Sequence, residues 1–372
     1  MDTLLEYGLI AVFVALAPAF VPAVAQAPVA AVAQAEDAKL TAFLDGEFAE
    51  YVKGQPQLAT RLGLKFGGDK WNDTSDAAAD AQVAWRQASA ARMKASIDRA
   101  KLSGEGQVNY DIWALEAERA ALSHANRIYR PPFYSRLYSA HSQLPDFLIN
   151  THSVADETDL RNYIARLRTM PAVLDEAIRR SKVSDAAGIR APRFQIETVI
   201  AGSEKLTSGA PYGPGPDAAL WADVQAKTAA LVKAGKLSEA KAKVYLQQAR
   251  AAILALKPAY GRVIGWAKGN LATAPSGKVG AVTLPGGLAY YANELKLNTT
   301  TDLTADQIHA IGLSEVARIE AEQDALARQA LCRTRSMDFA SDDGEGQGAD
   351  ALDRAVDPVA AHDRRDALGC AQ

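Results

Sequence analysis

Apolar residues recur along this chain at intervals of three and four, the spacing that gathers them on one face of an α-helix. Leu40, Phe43, Leu44, Phe48 and Tyr51 form one such stripe, ended by Gly54 and Pro56. Val108, Ile112, Leu115, Arg119 and Leu122 mark a second helix. Leu160, Tyr163, Ile164 and Leu167 mark a third, with Pro171 placed to open the next helix and Gly188 to close it. A long helix starts at Ser238, a natural N-cap, and runs to Lys257, where Pro258 ends or kinks it. The clearest start lies at Thr304. Thr304 and Gln307 have capping-box spacing, and Leu303 and Ile308 occupy the two positions of a hydrophobic staple. That helix continues through Ile311, Glu315, Ile319 and Leu326.

No alternating run of strand type extends beyond a few positions, so the pattern predicts an all-α body. Composition agrees: alanine is abundant and aromatic residues make up 7% of the chain, which suits packed helices rather than sheets. Ser208 to Pro216 is the strongest loop signal and reads as a surface loop between two helical halves of one domain. No repeat at solenoid spacing is visible. A hydrophobic content of 48% allows a large core, and a net charge of -3 leaves no basic excess for binding nucleic acid.

The two ends differ from this body. Gly8 to Ala25 is an apolar run broken by Pro18 and Pro22, followed by cleavage signals at Ala23-Val24-Ala25 and Ala33-Gln34-Ala35. Residues 1–35 therefore read as a signal peptide, cleaved near Ala25 or Ala35, that leaves a periplasmic or secreted protein with no stable membrane anchor. The absence of lysine and arginine ahead of the apolar run is atypical for such a signal. Beyond Leu331 the composition changes abruptly: residues 332–372 hold eight aspartates and five arginines but no lysine, isoleucine, tyrosine or tryptophan. This tail offers no apolar period for a core and reads as disordered or, preferably, as G+C-rich DNA translated in a shifted frame. Both cysteines, Cys332 and Cys370, fall in it.

Few residues in the body carry recognisable chemistry. His124, His141, His152, His309 and His362 include no H-E-x-x-H and no pair three or four apart, the spacing that aims two imidazoles at one zinc. His141 and His152 could meet only through the fold. Ser238-Glu239-Ala240-Lys241 matches the S-x-x-K of penicillin-recognising enzymes, but the companion S-D-N and K-T-G segments are missing and a helix N-cap explains the serine. Gly213 to Ala218 fits G-x-G-x-x-A, yet it follows no strand and its prolines remove phosphate-binding amides; it is a turn. The turn Leu284-Pro285-Gly286-Gly287 delivers Tyr290 and Tyr291 to the start of a helix. Adjacent helical positions diverge, so one tyrosine can pack while the other lines a substrate groove.

This last stretch, continued through Thr299-Thr300-Thr301-Asp302-Leu303-Thr304, Ile308-His309, Gly312-Leu313 and Glu315-Val316-Ala317-Arg318-Ile319, resembles the middle of the bacterial "domain of unknown function 885" proteins. Pro56 with Ala59-Thr60 and Gly63, and Gln143-Leu144-Pro145 with Phe147-Leu148, are similar as well. The resemblance covers about Leu40 to Ala330. It implies an exported helical protein akin to the zinc carboxypeptidase and oligopeptidase class, with a cleft between helical halves. It also implies zinc in a His-Glu-Ala-x-Pro-Gly-His-His segment, with the glutamate as general base. No position here matches that segment, so no catalytic residue and no metal ligand is carried over. The expectation is thus a truncated, inactive member of a zinc-dependent peptidase family spanning residues 36–330, without a cofactor of its own. The alternative is a metal-free helical protein that binds peptides, with Tyr290 or Tyr291 in its groove.

Overall fold

The computed structural model describes residues 27–134 and 139–341, with side chains described over 33–134 and 139–330. The predicted signal lies outside this range as far as residue 26, and so does the tail from residue 342 onward. The described residues are helical throughout and include no strand; an isolated β-bridge joins Ala210 to Asp217. None of the helices among the described residues is long and apolar enough to cross a membrane. The chain divides into two compact units, residues 1–290 and 291–372.

In the first unit, α1 (Ala27–Lys53) is followed by a short α2 (Pro56–Arg61), which opens on its proline. Next come α3 (Asp76–Ser96) and α4 (Gly104–Ala125), an antiparallel pair that packs against α1. Leu40, Met93, Ile97, Leu102 and Tyr110 make their shared core. The second predicted helix is therefore present as α4, but its apolar stripe faces outward: Val108 is 56% exposed and Ile112 52%. The inward face carries Gly106, Tyr110 and Ala117 instead. Trp113 lies on the same side and donates its Nε1–H to Ser89 Oγ at 3.0 Å. Both stripes have helical spacing. The one with small residues wins because α1 comes close there: a Cβ at Gly106 would fall 2.1 Å from Asp37 Oδ1.

The larger core is organised by α6 (Glu157–Ala186), reached through α5 (Ala140–Asp146) and a π-helical turn at Phe147–Thr151. Asp156 caps α6, accepting from the Asp159 amide at 2.9 Å. Leu160, Tyr163, Ile164 and Leu167 are fully buried, as their spacing predicts. Pro171, expected to open a new helix, instead sits inside α6. A helix-interior proline costs about 3 kcal/mol. Met170, Leu174, Ala177 and Ile178 continue the buried face beyond it, and each large apolar side chain contributes about 1.5–3 kcal/mol on burial. Continuity of the core outweighs the lost hydrogen bond. Gly188, with φ of 78°, closes the chain off α6 as expected.

Around α6 pack α7 (Arg193–Leu206), α8 (Ala219–Lys233), α9 (Glu239–Leu254) and α10 (Leu256–Leu271). The Ser208–Pro216 loop joins α7 to α8 and is tied across its neck, Ala210 N donating to Pro216 O at 3.0 Å and Ala218 N to Ala210 O at 2.7 Å. The helix expected from Ser238 to Lys257 breaks at Ala255, and Pro258 falls in the first turn of α10, where its missing amide costs little.

Helix α11 (Gly287–Thr299) leads into the second unit, which continues with α12 (Ala305–Ser341). The capping box is present in both directions: Thr304 N donates to Gln307 Oε1 at 2.8 Å, and Gln307 N to Thr304 Oγ1 at 3.3 Å. The helical backbone of α12 runs ten residues past Leu331, where the composition changes, to Ser341.

Candidate functional site

The two histidines that only the fold could bring together serve separate structural roles. His141 is buried, with Nδ1 2.7 Å from Ser139 Oγ. Its other edge lies so close to α7 that a Cβ at Gly202 would fall 2.7 Å from Nε2. His152 is also buried, its Nδ1 2.9 Å from Arg166 Nη1. A guanidinium can only donate, so His152 Nδ1 accepts and the ring proton sits on Nε2. Burial lowers both histidines to about 4, and Arg166 adds to the effect on His152. Both are neutral at pH 7.

Arg166 is itself fully buried in the middle of the α6 apolar stripe. Its Nε donates to Lys70 O at 2.9 Å and its Nη2 to Thr60 Oγ1 at 2.8 Å, with longer contacts to Pro56 O and Gly67 O. The guanidinium also lies 5.0 Å from the centroid of the Phe147 ring. Burial without a bonded carboxylate lowers it to about 10. This arginine clasps segment 56–70 onto the core. Beside it, Lys65 Nζ reaches both oxygens of Asp159 at 2.8 Å.

The zinc implied by the resemblance does not fit these residues. Among the described residues no group of three histidine, cysteine, aspartate or glutamate side chains is placed to hold a metal ion. His141 and His152 already have protein partners, and the third histidine of this unit, His124, has its Nε2 2.9 Å from Asp80 Oδ1.

Tyr290 and Tyr291 diverge, as adjacent helical positions must. The Tyr290 ring stacks on Tyr129 with centroids 4.4 Å apart and 8° between the planes. Tyr129 donates its hydroxyl to Pro285 O at 2.8 Å, which fastens the Pro285-Gly286 turn. Tyr291 is 45% exposed.

Ser238 Oγ accepts from the Lys241 amide at 3.3 Å, while Lys241 Nζ pairs with Glu157 at 2.9 Å. The hydroxyl is a helix cap, and the ammonium is turned away onto another helix. Ser238→Ala is expected to lower stability by about 1 kcal/mol, read as a fall in the urea midpoint, with no change in labelling by a serine-reactive probe.

A further feature with unused binding capacity is absent from the sequence-based expectations. Two cavities of about 380 and 400 Å³ share His124, Arg127 and Arg180 as lining. His124 comes from the last turn of α4, Arg127 from the turn after it, and Arg180 from α6. Asp76, in the first turn of α3, accepts from Arg127 and from Arg179, the latter at 3.2 Å; these arginines hold its carboxyl below the usual range. Glu176 takes the other side of Arg179 at 2.7 Å, and Asp80 takes His124. The nearby carboxylates are thereby engaged. Among the described residues Arg180 makes neither a hydrogen bond nor an ion pair. Burial, with repulsion from Arg127 as a second cause, lowers its pKa. A sequence signal did exist: Arg180 lies three residues after buried Ala177 and four before buried Ser184, at the margin of the α6 core stripe.

No curated protein matches the sequence. Among solved structures, the chain is similar to a candidate lipoprotein from Colwellia psychrerythraea, with a TM-score of 0.61 and 18% identity. The match covers 76% of this chain and 49% of that one, so this chain spans about half the length of that structure. At this identity the likeness establishes the all-α fold alone. The family resemblance is established separately, by a family model that matches residues 56–361 and so extends past Ala330, where the sequence reading ended it. The chain belongs to the family described as "Bacterial protein of unknown function (DUF885)".

Proposed function

We propose that this chain is an exported helical protein of zinc-peptidase type whose 372 residues do not by themselves hydrolyse peptides. The observation that carries this reading is the commitment of the histidines in the first unit: His124 to Asp80, His141 to Ser139 and His152 to Arg166. A peptidase zinc needs three protein ligands and an open position for water, and converting these residues to ligands would break their present bonds. The purified chain, incubated with zinc and a mixture of unblocked peptides, is expected to give no cleavage by mass spectrometry. Cleavage that requires zinc and stops on chelation would overturn the reading.

A second reading, metal-free peptide binding, is favoured by the cavities around Arg180. Their volumes fall within the usual range for small-molecule sites. They combine an unpaired guanidinium with apolar wall residues such as Ile128 and Val183. The two readings are compatible: the chain holds a peptide that its own residues do not cleave.

A further inference from the structure

We propose that Arg180, with Arg127 beside it, is a carboxylate-binding site for a peptide ligand in the cavities shared with His124. The inference rests on the peptide-binding reading and adds to it the group that is recognised. A half-buried guanidinium whose donors meet no protein acceptor leaves a positive charge that a planar anion can neutralise. Its fork matches the two oxygens of a carboxylate, a pairing that combines charge with geometry. Arg127 adds a second positive charge close enough to depress Arg180, and an anion between them removes that repulsion.

The surrounding carboxylates decide which anion fits. Asp76 is bonded to Arg127 and Arg179, and Asp80 to His124, so neither bonds Arg180, although Asp76 and Glu176 partly offset its charge. Both still repel an incoming anion, and the repulsion scales with its charge. A singly charged carboxylate therefore suits the site better than a phosphate dianion. Apolar contact from Ile128, Pro131 and Val183 lines the second cavity, and Asn72 and Ser123 line the first. A peptide can thus place backbone on one side and a side chain on the other. The carboxylate is either the peptide terminus or an acidic side chain.

Calorimetric titration of the full 372-residue chain distinguishes these sources, using N-acetyl-tetra-alanine, its C-terminal amide, an acetylated amide with one internal glutamate, and sodium phosphate. Saturable binding of the free acid, weakened about tenfold or more in the amide and in Arg180→Gln, is expected for a terminal carboxylate. Binding restored by the internal glutamate in the amide assigns the side-chain source and equally supports the site. Arg180→Lys should fall between, since it keeps the charge and loses the fork. Arg180→Gln should melt close to the parent protein, because it removes no hydrogen bond and its lost attraction to Asp76 and Glu176 is offset by lost repulsion from Arg127 and Arg179. Equal binding of acid and both amides overturns the carboxylate site while leaving peptide binding intact; failure of every peptide to bind overturns both. Phosphate binding tighter than either acid, or an Arg180→Gln variant that melts early, overturns the assignment as well.

Discussion

Replacing Arg166 with methionine is expected to destabilise the protein by about 3 kcal/mol or more and to loosen the segment it clasps. Methionine fills much of the side-chain volume but donates to nothing. It leaves Lys70 O, Thr60 Oγ1 and His152 Nδ1 without this donor, whereas Pro56 O and Gly67 O keep the Thr60 hydroxyl and the Lys70 amide. Each buried acceptor so orphaned costs about 1–3 kcal/mol. Against this stands the relief of the guanidinium's own desolvation, the force that lowers its pKa to about 10. Three short bonds, to Lys70 O, Thr60 Oγ1 and His152 Nδ1, outweigh that relief. The check is a urea midpoint combined with limited trypsin digestion: Arg166→Met should unfold earlier and be cut faster after Arg61 and Lys65. Arg166→Lys, which keeps a charge and fewer donors, should lose less. An unchanged midpoint in Arg166→Met would show that the clasp contributes nothing.

Acid should destabilise the protein well before its carboxylates titrate. His141 and His152 are held at about 4 by burial, against an ordinary value of 6.5. Below pH 6.5 the unfolded chain takes up protons that the folded chain refuses, so stability is full above 6.5 and falls as pH drops toward 4. The expected loss is roughly 2 kcal/mol for each histidine by pH 5. Urea midpoints measured from pH 7.5 to 5 test this. The slope should shrink by about half in His141→Gln and again in the double variant His141→Gln, His152→Gln. A double variant with the parental slope would assign the acid sensitivity to other groups.

Hydrolysis and binding experiments divide the functional question cleanly. Absence of zinc-dependent cleavage with carboxylate-selective binding places this chain as a peptide holder within its family. Cleavage would demand metal ligands from outside the described residues, or a rearrangement of the three histidines described above.

What the sequence determined by itself are features settled within one or two helical turns. The buried face of α6 was legible because Leu160, Tyr163, Ile164 and Leu167 repeat at helical spacing. The Thr304–Gln307 box, the Ser238 cap, the Gly188 stop and the Ser208–Pro216 loop are each made by residues a few positions apart, so their geometry follows from the local backbone. Only the tertiary structure decided which of two helical stripes on α4 turns inward, because α1 reaches Gly106 from far along the chain. It also decided that α6 passes through Pro171, since the gain comes from helices packed along both halves of its face. The site depends on the fold most of all. Arg166 meets its partners across 96 to 110 residues of sequence except for His152, and Arg180 is left free because Asp76, from a different helix, is taken by two other arginines. Local periodicity reports how a segment curls; which polar groups find partners is fixed only when distant segments meet.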